Sequence, residues 1–115
     1  MPAVISKATA PHYIWGQVCD GWRLVDQPSL SVIHERMPTG SAEVRHHHER
    51  ARQFFFVLEG ALTIDCDGVR HTMRPGEGLE MAPGLPHQAR NVSADPVEFL
   101  VISAPSTRGD RKDTQ

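Results

Sequence analysis

Proline and glycine punctuate this chain at short, regular intervals. Turn signals stand at Pro28, Pro38-Thr39-Gly40, Gly60, Asp67-Gly68, Pro75-Gly76-Glu77-Gly78, Pro83-Gly84-Leu85-Pro86, Pro96 and Pro105. A break about every 8–12 residues leaves no room for helices of ordinary length and is the pattern of an all-β protein. The intervening segments read as strands. Leu30 to Met37 is β-branched and mixed in polarity, and Phe54 to Leu58 is a run buried on both sides or at an interface. Ala61 to Cys66 and Val69 to Met73 flank Asp67-Gly68, a strong hairpin signal. Leu79 to Met81, Gln88 to Val92 and Val97 to Ile102 complete the set. No segment carries helical period with caps. These elements predict an antiparallel barrel or sandwich of about eight or more short strands, the class that includes jelly rolls.

At 115 residues the chain suits one domain with its own core. We expect an N-terminal arm or edge strands over residues 1–28, a barrel over 29–104 and a flexible polar tail over 105–115. Tyr13, Trp15 and Trp22 place aromatic surface in the arm, which is expected to cover the barrel or a neighbouring subunit. A net charge of −2 with scattered lysines and arginines gives no electrostatic reason for nucleic acid or an anionic membrane as partner. No apolar run approaches the ~20 residues that span a bilayer. The first ten residues lack a signal-peptide core, so a cytoplasmic location is the expectation. Cys19 and Cys66 are too few for a disulfide framework and are expected to be free thiols.

Chemistry concentrates in the histidines, seven in all, three of them consecutive at His46-His47-His48. The triplet lies mid-chain between strand-like segments, unlike a terminal tag. On a strand, residues two apart share a face, so His46 and His48 project together and His47 points the other way. Gln53 offers a nearby oxygen, and His87, just after a rigid Pro-Gly-Leu-Pro turn, is the best candidate for a fourth ligand. By spacing alone, a pair of solvent-facing polar histidines remains open.

The stretch Gly40-x5-His46-x-His48-x4-Gln53-x6-Gly60 resembles the first motif of the cupins, and Gly76-x5-Ala82-x-Gly84-x2-His87-x3-Asn91 resembles the second. The resemblance implies an all-β, cupin-type jelly-roll barrel. It also implies one divalent metal ion held by His46, His48, Gln53 and His87, with iron, manganese, nickel, zinc or copper all compatible with that donor set. Two departures stand out. Ala82 replaces a proline, with Pro83 adjacent; Gln53 replaces a glutamate. A neutral amide in place of a carboxylate removes one negative charge, weakens ion binding and leaves the ion a stronger Lewis acid. At that position the chain is similar to small cupins that linearise unsaturated uronates, although the acid those carry on the last long strand has no counterpart in Phe99-Leu100-Val101-Ile102-Ser103.

The expected function is that of a metal-dependent enzyme of isomerase, lyase or dioxygenase type on a small oxygenated molecule. The alternative is a non-enzymatic small-molecule binder or sensor. Glu35 shares a strand face with Ile33 and Met37 and is the candidate catalytic carboxylate, with Glu80 as a further pocket acid. Phe55, in parity with Gln53, and Met37 are the expected pocket residues. Arg36, Arg45 and Arg90 are candidates to orient an anionic substrate. An inward acid near the metal favours the enzyme; a cavity of Phe and Val alone favours the binder. Exposed barrel edges and the aromatic arm point to a homodimer.

Overall fold

The computed structural model describes residues 2–114. Eleven strands run in chain order: β1 (His12–Trp15), β2 (Cys19–Gln27), β3 (Leu30–Met37), β4 (His46–His47), β5 (Arg52–Glu59), β6 (Leu62–Cys66), β7 (Val69–Met73), β8 (Gly78–Met81), β9 (His87–Arg90), β10 (Val97–Ala104) and β11 (Lys112–Asp113). They form two antiparallel sheets, ordered β1-β2-β3-β10-β5-β8 and β11-β4-β9-β6-β7. The described residues contain no helix, and so none long and apolar enough to cross a membrane.

Period-two burial builds the core. Along β10, Val97, Phe99, Val101 and Ser103 are buried while the residues between them are partly exposed. Val97, Phe99 and Val101 meet Leu62, Ile64, Met73 and Ala89 of the second sheet in one apolar cluster that also takes in Cys19 and Cys66. Both cysteines are buried free thiols. The Asp67-Gly68 turn closes the β6–β7 hairpin with both residues at positive φ (53° and 74°), the backbone a tight two-residue loop demands.

Register across the larger sheet arranges the inward residues in rungs. One joins Tyr13, Gly21, Glu35, Phe99 and Val57; the next joins Arg23, Ile33, Val101 and Phe55; a third joins Ser31, Ser103 and Gln53. These rungs set the depth of every residue discussed below.

Residues 19–27, within the stretch expected to form an arm or edge strands, pair with β3 over almost their whole length at the edge of the larger sheet. The tail also makes specific contacts. Its strand β11 pairs with β4, and Asp110 is only 5% exposed. The physical reason is a cluster of backbone donors at residues 49–51 that the Asp110 carboxylate satisfies. The two tryptophans also part company. Trp15 turns to the barrel interior, its indole N–H donating to the Asp20 carbonyl at 3.0 Å. Trp22 instead packs between the rings of His12 and His34.

Candidate metal centre

His46 and His87 face each other directly across the β4–β9 ladder. His48 follows two residues after His46 and so shares its face. The nitrogens these three buried side chains offer as ligands all lie within 4.8 Å of one another. Their orientation is set by the backbone. Nδ1 of His46 donates to the Val44 carbonyl (2.8 Å), that of His48 to Asp110 (2.9 Å) and that of His87 to Leu85 (2.9 Å). With the proton on Nδ1, each Nε2 keeps its lone pair for the interior. Burial holds all three rings neutral, lowering the pKa of His46 to about 3 and those of His48 and His87 below the usual imidazole range. Neutral imidazole is the form that ligates a metal.

Gln53 enters from the opposite sheet. Its Nε2 donates to Ser103 Oγ at 3.1 Å, which leaves Oε1 as the free end of the amide. Two buried acceptors here have no partner, Gln53 Oε1 and His87 Nε2. Orphaned lone pairs in the interior are costly, and a cation would satisfy both. The donor set therefore fits a divalent ion. His47 sits on the opposite face, opposite Lys112 of β11.

His46, His48 and Gln53 line a cavity of about 250 Å³ whose wall also includes Tyr13, Arg23, Glu35, Glu43, Phe55 and Arg111. Phe55 lies where parity predicts, its ring 5.9 Å from that of His87. Met37 does not reach this cavity. It shares the inward face with Glu35 but stands at the other end of β3 from the Ser31–Ser103–Gln53 rung, fully buried in the apolar core. Glu80 is exposed and paired with Arg52 at 2.6 Å. Arg90 is bound to Asp65 (2.9 Å), and Arg36 faces Asp20 (3.9 Å); neither they nor Arg45 line the cavity.

Glu35 does line the cavity, two rungs from Gln53 along the strands. Burial raises its pKa to about 8, only partly offset by the Tyr13 hydroxyl and the positive charges of Arg111 and Arg23. A second carboxyl, Glu43, escaped notice in the sequence because it precedes β4 in an irregular stretch with no period to assign its face. Its pKa is likewise raised to about 8, by burial first and by Glu35 second. It lies closer to the histidines, with Oε2 3.5 Å from His46 Nδ1.

A cupin domain model matches residues 33–103, which include His46, His48, Gln53 and His87. The chain belongs to the cupin family. This cupin is 26% identical over 75 residues to the uncharacterized protein MJ1618 of Methanocaldococcus jannaschii, covering 65% of this chain and 60% of that protein. It is 29% identical over 69 residues to the polyketide synthase CurC of Streptomyces cyaneus, covering 60% of this chain and 45% of that one. The chain thus spans less than two thirds of the length of either relative. Among solved structures, the polyketide cyclase RemF of Streptomyces resistomycificus superposes with a TM-score of 0.87 over all of this chain and 87% of its own, at 18% identity. At that identity the shared property is the fold.

Proposed function

We propose that this cupin is a metal-dependent enzyme of isomerase or lyase type that moves a proton beside a carbonyl or hydroxyl of a small oxygenated substrate. The observation that carries this reading is the cavity that His46, His48 and Gln53 share with two carboxyls, Glu35 and Glu43, with His87 within ligand distance of both histidines; burial raises the pKa of each carboxyl to about 8. His46, His48, His87 and Gln53 would hold the ion, which when bound supplies Lewis-acid polarisation of a substrate oxygen. The all-neutral donor set favours that role over support of a higher oxidation state. Glu35 holds a proton on its carboxyl and, with its pKa near the working pH, can deliver or reclaim it. Tyr13 faces that carboxyl as a hydrogen-bond donor and Phe55 walls the ring of His87 from solvent.

The cavity volume supports a small substrate, since about 250 Å³ lies below the usual range for drug-sized ligands. Proton transfer next to a carbonyl is also the elementary step of an aldol-type ring closure, which is compatible with likeness to a polyketide synthase and a polyketide cyclase. Two ionisable carboxyls in the lining favour an enzyme over a passive binder. The test is a screen of unsaturated uronates, oxo acids and diketones for turnover, followed by Glu35→Gln on whichever substrate reacts. We expect a fall of about 10²–10⁴ in kcat with metal content unchanged. We also expect a wild-type profile that bends near pH 8 and a variant profile that does not. Full activity in Glu35→Gln would discard this residue as the proton carrier.

The same reading includes a homodimer. Phe54 and Phe56 stack on each other (6.3 Å between centroids) on the outer face of the larger sheet, with Phe54 40% exposed and Leu58 41% exposed. Light scattering should give twice the chain mass, and Phe54→Ser with Phe56→Ser should return it to that of one chain. A wild-type protein at monomer mass would end this part of the proposal.

A further inference from the structure

Three guanidinium groups line the cavity, from Arg23, Arg108 and Arg111. They are not equivalent. Arg108 is committed at the rim, with Nη2 2.6 Å from the Asp26 carboxylate. Arg111 is partly committed: Nε donates to Asp113 at 3.0 Å, and Nη2 to the Val44 carbonyl at 3.3 Å. That carbonyl also receives Nδ1–H of His46, so Arg111 is fixed beside the metal-facing histidines. Arg23 makes no ion pair among the described residues and lies with its guanidinium carbon 4.4 Å over the Tyr13 ring.

The register explains how Arg23 is held. Tyr13 of β1 lies opposite Gly21 of β2, which lies opposite Glu35 of β3. The Tyr13 ring crosses above Gly21 into the cavity, in the space a side chain there would fill. A Cβ on Gly21 would stand 2.4 Å from Tyr13 Cζ and 2.7 Å from its hydroxyl oxygen. Gly21 therefore seats Tyr13, and Tyr13 seats Arg23. The rung of Arg23 falls between that of Glu35 and that of Gln53.

We propose that this cavity selects its substrate through a carboxylate held by Arg23 and Arg111, placing the substrate's remaining oxygens toward His46, His48 and His87. A planar guanidinium with free N–H groups matches a carboxylate in a two-pronged pair, and does so most strongly in a partly desolvated site. The acids on the same wall are turned to other partners: Glu35 shares its rung with Tyr13, and Glu43 Oε2 lies 3.5 Å from His46 Nδ1. Neither forms an ion pair with Arg23 or Arg111 among the described residues, and the cavity, about 250 Å³, admits an acid of only a few carbons. The inference rests on the reading that this cavity is the substrate site, and is independent of whether an ion is held there.

The experiment is isothermal titration of purified protein, as isolated and after chelator treatment, with malonate, its neutral counterpart malonamide and inorganic phosphate. Malonate should bind and malonamide should bind at least about tenfold more weakly in both preparations. Arg23→Gln should weaken malonate by about tenfold or more and leave malonamide unchanged, while Arg108→Gln should change malonate by less than about twofold. Arg23→Lys keeps the charge but not the fork, and should fall between. It serves as the second variant if the glutamine form fails to unfold cooperatively on heating. Malonate affinity equal to wild type in both Arg23 variants, or no preference for malonate over malonamide, would overturn the proposal. Phosphate binding tighter than malonate would overturn the carboxylate assignment. Metal content measured on the same samples separates the two readings. Charge-selective binding without metal leaves this inference standing alone; metal without charge selectivity removes it alone.

Discussion

Protein carrying His48→Ala should emerge from expression with less than about a tenth of the metal found in wild type, by elemental mass spectrometry of untagged material, while wild type is near one ion per chain. The size of the effect follows from the donor set. Three imidazoles would supply most of the affinity, and the fourth donor would be an uncharged amide whose Nε2 is already spent on Ser103. Losing even an outer hydrogen-bond partner of a metal ligand commonly costs 10–100-fold in affinity. Losing a ligand outright, with no carboxylate to compensate, should cost at least about 100-fold. Gln53→Glu should act in the opposite direction by restoring a negative charge, and should retain or tighten the ion. Stability gives a second readout. A ligand present at about a thousand times its Kd stabilises the folded state by about 4 kcal/mol, so added metal should raise the melting temperature of wild type and not of His48→Ala. Wild type that stays metal-free after incubation with Fe(II), Mn(II), Ni(II) and Zn(II) would show that the histidine cluster serves ligand binding instead.

Asp110→Ala should be the most destabilising single change outside the apolar core, by about 2–4 kcal/mol in urea denaturation at pH 7. The Asp110 carboxylate accepts the backbone N–H groups of Glu49 (2.9 Å), Arg50 (3.0 Å) and Ala51 (2.9 Å), and alanine would orphan all three. The main-chain carbonyl of the same residue receives Nδ1–H of His48. A shift of the segment would therefore release that ring, and metal affinity should drop by about 10–100-fold alongside stability. Asp110→Asn keeps one acceptor oxygen and should fall between.

The pH dependence has a definite sign. Burial acts to raise the Asp110 pKa, but the hydrogen bonds from Ala51, Arg50 and Glu49 outweigh it and hold the carboxyl below its usual range. A group with a depressed folded pKa binds fewer protons folded than unfolded. Its contribution is complete at neutral pH and is lost as pH falls below about 4. Glu35 slopes the other way: its pKa, raised to about 8, means its neutral burial favours the fold at low pH and less so as pH climbs from about 4.5 to 8. Wild type should therefore lose stability at acid pH through Asp110, and Asp110→Ala should show a shallower acid decline. An identical acid profile in the two would remove Asp110 as the anchor of this segment.

Local patterns in the chain reached far. The strand over Leu30–Met37 and the β6–β7 hairpin around Asp67-Gly68 stand where period and turn chemistry put them, because both are decided within a few residues. The pairing of His46 with His48 is equally local, since a strand alternates faces whatever it packs against. Met37 shows where that logic stops. Parity placed it on the right face, but depth along the strand, not face, decides which inward residue meets the cavity and which meets the core.

What lay beyond the sequence needed two distant segments to meet. Glu43 has no period to reveal it, and its carboxyl matters because it comes to rest beside His46. The mixed charges of residues 108–113 read as solvated surface until the donors of residues 49–51 are set against Asp110 and the Val44 carbonyl against Arg111. Tyr13 can cross to Glu35 only because register sets Gly21 between them. The all-β fold class and the β6–β7 hairpin are written in short-range period and motif. Which charged and polar groups come to share one cavity is not. Desolvation and Coulomb interaction depend on distances between residues far apart in the chain, and those distances exist only once the two sheets have closed.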